Sequence, residues 1–110
     1  LIELPAGTRE PDEEPIITAE RELIEETGYR CEHLEFLHRF LLSPGILDEQ
    51  MHLYVATTLT AGAPAREAGE KIDNLVVTWQ QAIDWVFTGK IKDAKTITGL
   101  LMFDYLRKNR

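Results

Sequence analysis

Between Arg9 and Glu32 the chain places nine acids, Glu10, Asp12, Glu13, Glu14, Glu20, Glu22, Glu25, Glu26 and Glu32, against Arg9, Arg21 and Arg30. That short stretch holds a net six of the seven negative charges of the whole chain. Its spacing is nevertheless helical. Ile16, Ala19, Leu23 and Ile24 cover one side of a helix over Pro15–Thr27. Pro15 suits the first turn, where a missing N–H costs nothing. Asp12, Glu13 and Glu14 fall near the positive helix end, and Gly28 supplies a left-handed stop. Ahead of it, Arg9–Glu14 reads as an acidic loop. Pro5-Ala6-Gly7-Thr8 reads as a turn in which Gly7 permits positive φ and close backbone approach.

Within that helix Glu22, Glu25 and Glu26 stand at i, i+3 and i+4 and share one face. Two carboxylates ~5 Å apart repel by roughly 3 kcal/mol at an effective dielectric of 20. Such a triplet needs a cation to offset it, and hard divalent ions such as Mg²⁺ or Mn²⁺ favour oxygen ligands of this kind. Arg21 can hold Glu25 at i+4 or reach back to the acidic loop. The competing reading is a solvated acidic helix face.

After Gly28 the period changes. Leu34–Leu42 and Met51–Leu59 read as strands around a Ser43-Pro44-Gly45 loop, with Met51, Leu53, Val55 and Leu59 on one face. Thr60–Gly69 is loop-like, Ile72–Trp79 reads as a strand, and Gln80–Phe87 as a short helix ended near Gly89. Asp93 caps a helix over Ala94–Leu106 whose Ile97, Leu100, Leu101 and Tyr105 face inward. Leu1–Leu4 reads as a first short strand. These elements predict an α/β (α+β) fold, a mixed sheet covered by helices.

Composition bounds the rest. At 110 residues and 44% hydrophobic, the chain fits one small domain, 1–110, with a modest core. The net charge of −7 disfavours nucleic acid and anionic membranes as main partners. No apolar run approaches the ~20 residues of a membrane span, and no signal peptide is visible. The lone cysteine, Cys31, excludes an internal disulfide and favours a reducing, cytoplasmic compartment. The chain opens without Met, already in strand-like sequence, so the domain is expected to be N-terminally incomplete.

From Gly7, five residues lead to Glu13 and seven more to Arg21-Glu22-Leu23-Ile24-Glu25-Glu26-Thr27-Gly28-Tyr29. This pattern resembles the Nudix box, G-x5-E-x7-R-E-U-x-E-E-x-G-U with U apolar or aromatic, at every fixed position. The resemblance implies an α/β/α sandwich and a hydrolase that uses a divalent metal and water to cut a diphosphate linkage. Carried over residue by residue, Glu22, Glu25 and Glu26 would be metal ligands. Glu13 and Arg21 would orient the helix and loop, and the Ala6 carbonyl would reach a metal beside the Gly7 bend. Arg21 and Glu25 also enter the catalytic set.

Further stretches resemble the ADP-ribose pyrophosphatases. Glu3-Leu4-Pro5-Ala6-Gly7 looks like their entry to the box, and Pro44 lies sixteen residues beyond Gly28. Ala82-Ile83-Asp84-Trp85-Val86 and Gly89–Thr96 are similar to their C-terminal helices. In similar enzymes a later loop supplies an acid. Here Glu70 is the metal-proximal candidate and Glu67 the alternative base, against a plain exposed acidic loop. His33, His38 and His52 lack metal spacing, and Cys31, Trp79, Trp85, Phe87 and Phe103 read as packing or interface residues. Arg9 and Arg39 read as solvated surface.

The resulting expectation is a Mg²⁺- or Mn²⁺-dependent hydrolase, a homodimer by resemblance, that converts ADP-ribose to AMP and ribose 5-phosphate. The alternatives are another nucleotide sugar or dinucleotide as substrate, a non-catalytic ligand-binding regulatory domain, or an inactive fragment.

Overall fold

A computed structural model describes residues 1–43 and 49–109. Its elements run α1 (Pro15–Thr27), β1 (Arg30–Leu41), β2 (Gln50–Thr60), α2 (Trp79–Thr88) and α3 (Ala94–Lys108). β1 and β2 pair as a two-stranded antiparallel sheet. The fold is thus of the mixed α/β class, with three helices and one sheet among the described residues. The chain divides into two compact units. One draws on residues 1–4, 41–51 and 75–110, the other on residues 5–40 and 52–74. Among the described residues no helix is long and apolar enough to cross a membrane.

In the first unit α2 and α3 form the core. Ala82, Ile91 and Leu100 are buried, and Ile2, Leu4, Trp79, Ile83, Trp85, Val86 and Ile97 pack around them. Thr78 caps α2 by accepting from the Gln81 N–H at 3.1 Å. Trp79 packs edge-on against Phe103, ring centroids 5.3 Å apart, and its indole N–H reaches Asp104 at 2.9 Å. The packing role expected of these aromatics therefore holds for Trp79, Trp85 and Phe103. Phe87 is 76% exposed and packs little.

Asp93 caps α3 as its sequence suggests. Its Oδ2 accepts from the Thr96 N–H at 3.0 Å and the Thr96 hydroxyl at 2.6 Å. The Thr96 Oγ1 in turn accepts from the Leu4 N–H at 3.1 Å. Lys95 Nζ bridges Glu3 and Asp93, at 2.9 and 3.1 Å. Burial raises the cost of the Asp93 charge, and the Thr96 and Lys95 hydrogen bonds outweigh it, lowering the Asp93 pKa from its ordinary value.

These bonds correct one expectation. Leu1–Leu4 is not a strand: the Leu4 N–H is taken by a side chain, and Ile2 and Leu4 serve as packing residues. Ile72–Trp79 is not a strand either. No described strand pairs with it, so its main chain has no ladder to join; Leu75 and Val76 are 57% and 76% exposed, and Trp79 begins α2 instead. α3 runs two residues past its expected end, through Arg107 and Lys108, whose charges suit a helix C-terminus.

In the second unit α1 spans the residues its sequence marks. Gly28 adopts φ 80° and returns its N–H to the Ile24 carbonyl at 2.8 Å. β1 begins at Arg30, four residues earlier than its apolar pattern indicates, because the chain leaves the glycine stop directly into extended backbone. On the sheet Phe36 meets Tyr54 edge-on at 5.6 Å and His52 at 6.5 Å. The alternating face expected of β2 is only partly realised: Met51, Leu53 and Val55 are half-buried, whereas Leu59 is 49% exposed. The Pro44 feature lies outside the described residues.

Thr96 is 1% exposed and joins the α3 cap to the Leu4 backbone. Thr96→Val leaves a half-buried Leu4 N–H without its acceptor and the Asp93 cap without the Thr96 hydroxyl, and should cost about 1–3 kcal/mol of unfolding free energy in a urea titration. Thr96→Ser, which keeps the hydroxyl, should lose less.

Candidate active site

The acids of the 10–26 segment gather on one guanidinium. Arg21 Nε donates to Glu13 Oε2 at 2.9 Å and its Nη2 to Glu13 Oε1 at 3.0 Å, a bidentate pair. The same Nη2 reaches the Thr8 carbonyl at 3.2 Å. Arg21 Nη1 donates to Glu22 Oε1 at 2.9 Å and to Glu25 Oε2 at 3.1 Å. Arg21 thus holds Glu25 at i+4 and reaches back to the acidic loop at once, where its sequence position offered either.

Glu13 is further fixed by the Glu10 N–H at 3.0 Å and the buried Thr18 hydroxyl at 2.7 Å. The Arg21 guanidinium, then the Glu10 N–H and Thr18, lower its pKa from 4.5 to about 2. Reciprocally, the Glu13 carboxylate raises the Arg21 pKa, so that side chain stays charged throughout the working pH range.

The third glutamate faces the turn before the helix. Glu26 Oε1 accepts from the Ala6 N–H at 3.0 Å. A Cβ placed on the adjacent Gly7 would run into Cγ, Cδ and Oε1 of Glu22. Glycine lets the turn lie this close to Glu22; any larger residue would displace that carboxylate. Ala6 contacts the triplet through its N–H.

Among the described residues no three His, Cys, Asp or Glu side chains already converge on one metal position. The donor set still fits a hard cation. Two carboxylate oxygens from successive turns share one cationic nitrogen, and a third carboxylate stands one residue on, bonded to the Ala6 N–H.

Residues 65–74 fasten onto the C-terminal end of α1. The carbonyls of Glu25, Glu26, Thr27 and Gly28 lie beyond the last helical N–H, yet each has a donor. Glu25 O accepts from the Ala65 N–H at 2.9 Å. Glu26 O accepts from Arg66 Nε at 2.8 Å, Thr27 O from Asn74 Nδ2 at 2.7 Å, and Gly28 O from Arg30 Nη1 at 2.7 Å. Arg66 Nη2 also donates to Asn74 Oδ1 at 3.1 Å.

Glu67 and Glu70 lie inside this fastened segment. The Glu70 carboxylate accepts from the Glu67 N–H, and the Glu70 N–H donates to the Glu67 carbonyl at 3.1 Å. These bonds keep the Glu70 carboxylate in its own turn, so the structure gathers Glu13, Arg21, Glu22, Glu25 and Glu26 and holds Glu67 and Glu70 in an adjoining loop. Arg66 and Asn74 drew no assignment from the sequence. The one available signal was that α1 has no basic residue in its last turn, so its terminal carbonyls needed donors from elsewhere. Burial pushes the Cys31 thiol up in pKa, which suits a packing residue rather than a nucleophile.

The NUDIX domain family matches residues 1–100 of the chain. The chain belongs to the Nudix family. Its Nudix box is the segment from Gly7 to Tyr29, organised on Arg21 as described. Three relatives illustrate its neighbourhood. A protein named methanol dehydrogenase activator, from Bacillus methanolicus, is 42% identical over 88% of the chain and 54% of that relative. An ADP-ribose pyrophosphatase from Bacillus subtilis is 40% identical over 87% and 53%. A GDP-mannose pyrophosphatase from Escherichia coli is 34% identical over 97% and 56%. The chain spans about half the length of these curated relatives.

The depressed Glu13 pKa fixes a pH dependence. Its stabilising contribution is fully present above about pH 4.5 and is lost as the pH falls from there towards about 2. The stability gap between the parent chain and Glu13→Gln, read from thermal melts, should therefore be full at pH 6 and close on acidification. Asp93 and Asp104, also lowered, leave Glu13→Gln some acid sensitivity of its own.

Proposed function

We propose that this Nudix domain hydrolyses the diphosphate linkage of a nucleoside diphosphate derivative, with ADP-ribose as the substrate and AMP and ribose 5-phosphate as products. The observation that carries the reading is the meeting of Glu22 and Glu25 on one cationic nitrogen, with Glu26 held against the Ala6-Gly7 turn. Similarity to the ADP-ribose and GDP-mannose pyrophosphatases supports it. Those two names differ in base and sugar and share the nucleotide-sugar diphosphate, which is the part of a substrate that clustered carboxylates and their cations address.

Glu22, Glu25 and Glu26, with the Ala6 carbonyl and Glu70, would hold Mg²⁺ or Mn²⁺, which when bound neutralises the diphosphate and lowers the pKa of water. The chain's own groups do the rest. Arg21 keeps Glu22 and Glu25 aligned and never loses its charge. A carboxylate takes the proton of the attacking water, and Glu25, Glu67 and Glu70 are the candidates. The water oxygen joins phosphorus as one bridging P–O bond breaks, and the departing phosphate carries that oxygen away. A cytoplasmic homodimer completes the proposal, checked by two chains per particle in sedimentation.

A second reading has its own support. The relative of 42% identity is named for activating a dehydrogenase, which favours a regulatory, ligand-binding role without turnover. One assay separates them. With Mg²⁺ and a panel of ADP-ribose, nucleotide sugars and dinucleotides, the hydrolase reading expects AMP release from ADP-ribose above the others. EDTA should abolish it, and Glu26→Gln should lower it about a hundredfold or more. Metal-linked ligand binding with no product would instead establish the regulatory reading.

A further inference from the structure

Segment 66–74 is closed on itself and pinned at both ends. Arg66 and Asn74, eight residues apart in sequence, bond to each other, and each also donates to a carbonyl of the last turn of α1. The Ala65 N–H adds a third bond to the same turn. Just upstream, the backbone packs against the helix stop: a Cβ on Gly28 would strike the Gly62 carbonyl, and a Cβ on Gly62 would strike Arg30 Nη1. The tip of the loop is different. Gly69 has φ 89° and nothing within 4 Å of where its Cβ would lie. Two acids, Glu67 and Glu70, therefore stand on a tight turn whose ends are fixed and whose tip is open.

We infer that Arg66, clasped to Asn74, is a positioning residue that pins the loop carrying Glu67 and Glu70 onto the helix end carrying Glu25 and Glu26. A guanidinium suits the task for a geometric reason. Its Nε and Nη2 point in fixed directions, one to the Glu26 carbonyl and the other to Asn74. A lysine ammonium lacks that fork. The positive charge also lies beside a helix C-terminus, the electronegative end of α1. The catalytic consequence rests on the hydrolase reading given above; the clasp itself does not.

The experiment compares the protein with Arg66→Ala, Arg66→Lys and Asn74→Ala by three measurements. Hydrogen exchange reads the clasp: in Arg66→Ala, the hydrogen-bonded Ala65, Glu67 and Glu70 amides should exchange at least about tenfold faster, while α1 keeps its protection. Mn²⁺ titration followed by electron paramagnetic resonance should show weakening of about tenfold. Mg²⁺-dependent AMP release should show kcat down about 10–100-fold with KM for ADP-ribose within about threefold, since misplaced groups penalise the reacting geometry and not ground-state binding. Arg66→Lys should fall between the parent and Arg66→Ala, and Asn74→Ala should repeat the pattern more mildly, which guards against a global folding defect.

Unchanged exchange would overturn the clasp. Faster exchange with kcat and Mn²⁺ affinity unaltered would overturn the positioning role, as would a raised KM at constant kcat. If the parent protein releases no AMP, the hydrolase reading falls. Exchange and Mn²⁺ affinity then decide the inference by themselves: both altered in Arg66→Ala uphold it, either one unaltered ends it.

Discussion

One guanidinium balances the charge of α1. Without Arg21, Glu13, Glu22 and Glu25 would face one another across the helix and its entry loop. Any two carboxylates ~5 Å apart cost roughly 3 kcal/mol at an effective dielectric of 20. With it, three carboxylates share four hydrogen bonds from a single side chain, and the Thr8 carbonyl takes a fifth. The pairing is partly exposed, so its worth lies less in net stability than in geometry. It sets where the loop at Thr8 and Glu13 meets the helix, and it points two glutamates of successive turns at one place. A lysine could supply the charge but not the bidentate grip on Glu13.

The helix is legible in the sequence because every local cue agrees. Pro15 starts it, Gly28 stops it, and the apolar stripe has the helical period, so its bounds match the sequence reading. The Asp93 cap and the Thr96 that follows it are legible for the same reason. The two false strands failed for a different reason. Ile72–Trp79 has β-favouring residues in Val76 and Val77, but strand formation needs a neighbour to accept its hydrogen bonds, and no single-sequence pattern supplies one. Leu1–Leu4 is apolar at alternate residues for packing, while its backbone bonds to a threonine hydroxyl from ninety-two residues away.

The candidate site divides along the same line. Glu22, Glu25, Glu26, Arg21 and Glu13 are visible because they repeat at helical intervals or stand in a fixed pattern around that helix. Arg66 and Asn74 are not, because their partners are backbone carbonyls, and backbone atoms leave no trace in residue identity. What sequence does carry is the deficit: a helix that ends in Glu25-Glu26-Thr27-Gly28 offers its own terminal carbonyls no cationic side chain. Complete accounting of those carbonyls leads straight to the 65–74 segment.

That deficit bears on why the acids stand where they do. A helix is stabilised by acids at its N-terminus and by bases at its C-terminus. α1 meets the first half of that rule from its entry, where Glu13 and Glu14 stand, and breaks the second: its last turn has no base, and Glu25 and Glu26 occupy the electronegative end. Gly28, Arg30, Ala65, Arg66 and Asn74 all supply donors to that end from outside the helix. A chain selected for stability alone would move the charge. A local rule broken this consistently, and offset by this many outside groups, points to a demand other than stability. The end of α1 gathers acidic side chains and backbone carbonyls together, and the outside donors offset the carbonyls while leaving the acids in place.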